Sequence, residues 1–128
     1  MPHFDDASPI YLQIAEEIRT QILSGELAEG ARLTSTTEYA TRYRINPATA
    51  NKAVSLLVDE GLVVKRRGIG MFVAEGALEN LRRSRRTTYT DDVLHPALDT
   101  GLALGLSSTE LRDAVATHLR TRTPKETR

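Results

Sequence analysis

Asn46-Pro47-Ala48-Thr49-Ala50-Asn51-Lys52-Ala53-Val54-Ser55-Leu56-Leu57-Val58-Asp59-Glu60-Gly61 runs straight into Leu62-Val63-Val64-Lys65-Arg66-Arg67-Gly68-Ile69-Gly70-Met71-Phe72-Val73, and this stretch decides the fold. Asn46 and Pro47 make a helix start, Ala50, Ala53, Val54, Leu57 and Val58 make one apolar stripe, and Gly61 makes a stop. Two β-prone runs follow, Leu62 to Lys65 and Met71 to Ala74. They enclose Arg66-Arg67-Gly68-Ile69-Gly70, a basic tip with two glycines. Helix, then basic-tipped hairpin, is the order of a winged helix-turn-helix.

The stripe fixes what the helix shows to the outside. Its positions recur at i, i+3, i+4, i+7 and i+8, so Ala48, Thr49, Asn51, Lys52 and Ser55 point away from the buried face. That outward set is short and polar with one cation, as a helix lying in a DNA major groove requires. Asn51 suits a bidentate contact to adenine, and Lys52 suits a guanine or a phosphate. Any amphipathic surface helix has a polar face, so the reading depends on what flanks it.

Upstream, Ser35-Thr36-Thr37-Glu38 has the pattern of a capping box, in which the Ser35 hydroxyl and the Glu38 carboxylate satisfy free amides at a helix start. That helix carries Tyr39, Ala40 and Tyr43 inward and ends near Arg44. Arg44 and Ile45 then form a very short connection to the Asn46 cap, the arrangement of a helix-turn-helix. Another helix comes first, with Ser8 as cap, Pro9 in its first turn, and Tyr11, Ile14, Ala15, Ile18 and Ile22 as its apolar face up to Gly25. The expected fold class is therefore mostly α with a small β-hairpin (α+β).

After Ala74 the pattern changes. Residues 76 to about 104 read as a long helical region with Leu78 and Leu81 early and Leu94, Leu98 and Leu102 at i+4 spacing, which Pro96 should kink or break. Gly105-Leu106-Ser107-Ser108 makes a turn, with Ser107 or Ser108 capping a helix that carries Leu111, Val115 and Leu119. Two helices cannot bury those leucines between themselves, so a partner subunit is the natural cover. The expected organisation is a DNA-binding domain over residues 1–75, a helical dimerisation hairpin over 76–120 and a frayed polar tail over 121–128. The dimer interface is expected at Leu94, Leu98, Leu102, Leu106, Leu111, Val115 and Leu119.

These motifs resemble a known family. Pro9-Ile10-Tyr11-Leu12-Gln13-Ile14-Ala15, Ile22-Leu23-Ser24-Gly25-Glu26-Leu27 and Gly30-Ala31-Arg32-Leu33 look like the opening of the GntR superfamily of bacterial transcription factors. Ile45 to Ala53 and Arg66 to Val73 resemble its YtrA-like branch, and several separated motifs occur in the right order over about residues 8 to 74. The resemblance implies a homodimeric repressor on a palindromic double-stranded DNA operator, with helices two and three on the DNA and the wing in the minor groove. It implies DNA contacts from Ser35, Thr36, Thr37, Arg44, Asn46, Pro47, Ala48, Thr49, Asn51, Lys52, Arg66, Arg67, Gly68, Ile69 and Gly70. Departures limit this transfer. Leu33 is followed by Thr34 rather than proline, Thr37 stands where the family often has arginine, and Pro47 and Asn51 replace arginines of many relatives.

Composition is compatible with a cytoplasmic regulator. The 128 residues contain no cysteine, show no signal peptide pattern and have no apolar run near 18 residues, so disulfides, secretion and membrane spanning are unsupported. Formal net charge is zero, where a DNA binder leads one to expect a basic excess. The charge is polarised instead. From Arg42 to Arg67 six cations face only Asp59 and Glu60, a local +4, while Asp5, Asp6, Glu16, Glu17, Glu26 and Glu29 lie upstream.

Other chemistries find little support. Arg82-Arg83-Ser84-Arg85-Arg86 is read as a solvated helix face rather than a second DNA contact. Asp91, Asp92, His95 and Asp99 are read as an acidic patch, with no metal site and no cofactor expected. With no cysteine nucleophile, no phosphate-binding glycine loop and His3, His95 and His118 scattered, no enzyme is expected. The larger GntR-like proteins carry an effector domain, and the short remainder here leaves no room for a deep private pocket, so an effector stays unknown. The competing reading is a winged-helix protein-protein module without DNA, which an acidic or apolar third helix and an uncharged wing would favour.

Overall fold

Ile14, Ala15, Ile18 and Ile22 fall on one face of α1 (Ile10–Ser24), and all four are buried. The computed structural model describes residues 8–122. Ser8 does not cap α1 with its side chain; its carbonyl instead accepts from Gln13 Nε2 at 2.7 Å, and Pro9 is the N-cap residue. In α2 (Thr36–Tyr43) the Ser35 hydroxyl accepts the Glu38 N–H at 3.1 Å, as expected. The other half of the capping box is not made, because the Glu38 carboxylate pairs with Arg42 one turn on, at 3.3 Å.

The third helix, α3 (Pro47–Asp59), starts where Asn46 Oδ1 accepts the Ala48 N–H at 2.8 Å with Pro47 in the first turn. Both α1 and α2 pack across it. Ala50, Ala53, Val54 and Leu57 are buried, but Val58, expected inside, is 36% exposed. It sits at the edge of the stripe, and Leu56 packs against the core from the other side. Burying Leu57 fully contributes about 1.5–3 kcal/mol. Arg19 braces α1 to the end of α3 by a two-pronged pair with Glu60, Nη2 to Oε2 at 2.7 Å and Nε to Oε1 at 3.0 Å. That contact raises the Arg19 pKa.

The wing is an antiparallel hairpin of β1 (Val63–Arg66) and β2 (Gly70–Val73), in register Val63↔Val73 to Arg66↔Gly70. Residues 30–33 add a short edge to it. The Gly30 N–H meets the Val73 carbonyl at 2.9 Å, Val73 N–H meets Ala31 at 2.9 Å, and Leu33 N–H meets Met71 at 2.8 Å. Leu62, Val63, Val73 and Ala74 close the core, joined by Ala77 and Leu81 of α4 (Ala77–Tyr89).

The chain divides into two units between Ser84 and Arg85. In the second, a π-helical turn at Thr90–Leu94 leads into α5 (His95–Ala103), the His95 N–H bonding the Thr90 carbonyl. Pro96 therefore neither ends the helical run nor removes a donor that α5 needs, because it stands in the first turn. Ser107 caps α6 (Ser108–Arg122) in a complete capping box with Glu110, at 3.0 and 2.8 Å. A methyl on Gly101 would come within 2.7 Å of a Leu111 methyl, so this glycine lets α5 and α6 approach. Of the expected tail, Thr121 and Arg122 are helical, and 123–128 lie outside the described residues.

Candidate nucleic-acid interface

An open groove of about 610 Å³ runs between the outward side of α3 and the wing. Asn51, Ser55, Val58 and Asp59 supply one wall and Lys65, Arg66, Gly68, Ile69, Gly70 and Met71 the other, and Arg32, Ser35 and Thr36 also line it. The hairpin register faces Lys65 with Met71 and Arg66 with Gly70, and all four residues line the groove. A cation-rich groove between an exposed polar helix and a strand pair is electrostatically suited to a sugar-phosphate backbone.

Each expected DNA residue has a definite place. The Asn51 side chain is outward and lines the groove. Lys52 is exposed, but its ammonium rests 4.2 Å from the centre of the Tyr11 ring, which holds it toward α1. Asn46 spends its side-chain oxygen on the α3 cap, leaving its amide group for other contacts. Pro47 and Ala48 are exposed and Thr49 is half-buried in the first turn of α3. Ser35 is committed to the α2 cap, Thr36 is half-buried and Thr37 is exposed. Arg44 stands in the left-handed conformation at the end of α2, with φ 55°.

In the wing, the Arg66 guanidinium stacks 4.9 Å from the Phe72 ring centre, while Arg67 and Gly68 form the turn. Ile69 is 57% exposed at the tip, an apolar side chain left largely open to solvent. The groove thus gathers Ser35, Thr36, Asn51, Arg66, Gly68, Ile69 and Gly70, whereas Thr37, Arg44, Asn46, Pro47, Ala48, Thr49, Lys52 and Arg67 do not line it. Seven groove residues were not among the expected DNA contacts: Arg32, Val54, Ser55, Val58, Asp59, Lys65 and Met71. Two of them carried a local signal, Ser55 on the outward face of α3 and Lys65 as the last cation before the tip.

Within the second unit, Leu94, Leu98, Leu102, Leu111, Val115 and Leu119 line one apolar groove of about 560 Å³ along α5 and α6. Leu106, expected with them, is exposed in the turn and is not part of that lining. Leu102 and Leu119 remain 52% and 51% exposed in the single chain. Nearby, His95 Nδ1 lies 3.4 Å from Asp91 Oδ1, and the described residues contain no group of three metal-ligating side chains. No helix among them is long and apolar enough to cross a membrane.

Comparison with known proteins agrees with this geometry. Residues 10–73 match the family described as bacterial regulatory proteins, gntR family. The chain is 38% identical over 96 residues to the HTH-type transcriptional repressor NagR of Bacillus subtilis, covering 75% of this chain and 39% of NagR, so it spans well under half that relative's length. To the HTH-type transcriptional repressor YtrA of the same organism it is 31% identical over 93 residues, 73% of this chain and 72% of YtrA. A solved GntR family transcriptional regulator from Listeria monocytogenes superposes with TM-score 0.70 at 28% identity, covering 89% of this chain and 98% of that one. The DNA-binding domain of AraR, solved in complex with operator ORR3, gives TM-score 0.52 at 29% identity over 56% of this chain and 87% of that chain.

Proposed function

The chain belongs to the GntR family of bacterial regulatory proteins, and from that premise we propose that it is a transcriptional repressor acting as a homodimer on a palindromic DNA operator. The observation that carries this reading is the single groove onto which the outward face of α3 and the basic wing both open. In it, α3 enters a major groove with Asn51 reading a base edge, and the wing tip Arg67-Gly68-Ile69-Gly70 follows the adjacent minor groove. Lys52, seated on Tyr11, supplies a phosphate contact rather than base readout. The likeness to AraR, whose DNA-binding domain was solved on an operator, supports the same use of the fold here.

The second unit supplies pairing. Its leucine-lined groove is apolar and open among the described residues, and a second copy related by a two-fold axis presents the same face in return. Pairing brings two α3 helices to half-sites about one helical turn apart. Each half alone makes too few contacts for specific binding. Selection of bound duplexes from a randomised library tests the reading: enrichment of an inverted repeat is expected, and failure to enrich any sequence would overturn it.

A further inference from the structure

Arg32 belongs to neither α3 nor the wing, yet it lines the groove between them. Its backbone is tied down by an antiparallel bridge to Phe72, with hydrogen bonds from Val73 N–H to Ala31 and from Leu33 N–H to Met71 on either side. Alternation along an extended segment sends neighbouring side chains to opposite faces. Leu33 accordingly enters the core, and Arg32 turns outward beneath the wing.

There its guanidinium occupies the space a side chain on Gly70 would need. A methyl built on Gly70 would stand 2.8 Å from Arg32 Nε and 3.3 Å from Nη2. Several cations of this unit are engaged, Arg19 with Glu60 and Glu16, Arg42 with Glu38, Lys52 with the Tyr11 ring and Arg66 with the Phe72 ring, while Lys65 of the wing shares the groove with Arg32. Arg32 makes no hydrogen bond or ion pair among the described residues, although Asp59 lines the same groove. It is an anchored, exposed and uncompensated charge.

We infer that Arg32 is a phosphate-binding residue of the interface, and that Gly70 is side-chain-free so that the Arg32 guanidinium can lie beneath the wing. This rests on the reading that the groove takes DNA. When a helix occupies the major groove and a wing the adjacent minor groove, one sugar-phosphate strand passes between them. A cation anchored in the groove between helix and wing faces that strand. Its contact is with phosphate, so it adds affinity without sequence preference. Gly70, at φ 143°, is also in a conformation that side chains rarely adopt, so a substitution there adds strain to displacement of Arg32.

The test uses the full chain and two labelled duplexes of equal length, one carrying the selected site and one of mixed sequence, titrated across a salt series. Arg32→Ala should weaken binding to both duplexes by a similar factor and lower the slope of log affinity against log salt by about 0.9, with base preference and circular dichroism unchanged. Arg32→Lys should restore most of the slope. Gly70→Ala should lower the slope in the wild-type background but leave it unchanged when Arg32 is already alanine. Wild-type slope and affinity in Arg32→Ala, with the wild type binding normally, overturn the assignment of Arg32 alone. A wild type with no salt-dependent binding to either duplex overturns the DNA reading together with it.

Discussion

The two units of this chain treat their apolar side chains in opposite ways. Up to Ser84, the aliphatic faces of α1, α3 and the hairpin close on one another, and Ile14, Ile22, Leu57, Val63 and Val73 are almost wholly removed from water. From Arg85 to Arg122, Gly101 alone is buried, while leucines at regular helical spacing line an open groove. Both units have the same kind of helical periodicity. Periodicity identifies the face that must be covered, but the number of elements in the chain decides whether the chain itself can cover it. Three helices, a hairpin and the start of α4 close the first core, while α5 and α6 leave their leucines open.

The largest test of that contrast places charge on the open face. Leu98→Asp with Leu111→Asp should abolish self-association, since burying carboxylates in an apolar interface costs several kcal/mol. The first unit should keep its fold, and sedimentation with circular dichroism reads both outcomes; a variant that still pairs would show that this groove is not the interface. Next in size is the closed core. Leu57→Ala should destabilise the first unit by about 2–5 kcal/mol through the cavity it leaves, and the loss should not depend on protein concentration. Denaturation at two concentrations checks this, because a concentration-dependent loss would mean that the core is shared between chains.

A smaller effect belongs to the reading face. Asn51→Ala should cost about 1–3 kcal/mol at one operator position while leaving the thermal midpoint unchanged. Unaltered base preference in a selection with this variant would remove Asn51 from readout. The smallest effect concerns Tyr39, whose hydroxyl makes no hydrogen bond among the described residues and whose pKa is pushed up to about 12, chiefly by burial. The unfolded chain gives up this proton near pH 10 and the folded chain does not. Stability is therefore full below about pH 10 and declines as pH rises from there toward 12. Tyr39→Phe should be nearly neutral at pH 7 and should lose this part of the alkaline decline, which melts of the two proteins between pH 8 and about 11 would reveal.

Legibility in the sequence followed the range of the interactions concerned. The cap of α3, its buried stripe and the basic turn are written in residues at most a few positions apart, and the fold class and most of the wing could be read from them. Edges were less secure. Val58 belongs by spacing to the stripe, but the groove beside the wing leaves it open. Glu38 had two partners within reach and took Arg42 in place of the α2 cap. The edge formed by residues 30–33 left no local trace, because it pairs with β2 some forty positions away and its four residues show no alternating pattern long enough to read. Arg32 was invisible as a site candidate for the same reason. The π-helical turn before Pro96, closed by the backbone hydrogen bond from His95 to Thr90, is not specified by residue types alone.

The pairing of two copies on one operator is tested most directly by sedimentation of the full chain with a labelled duplex carrying the selected site, together with a footprint of the same complex. Two copies per duplex are expected, protecting half-sites about one helical turn apart with two-fold symmetry. A single copy per duplex protecting one asymmetric site would contradict it, and would show that the leucine-lined face of α5 and α6 serves something other than pairing.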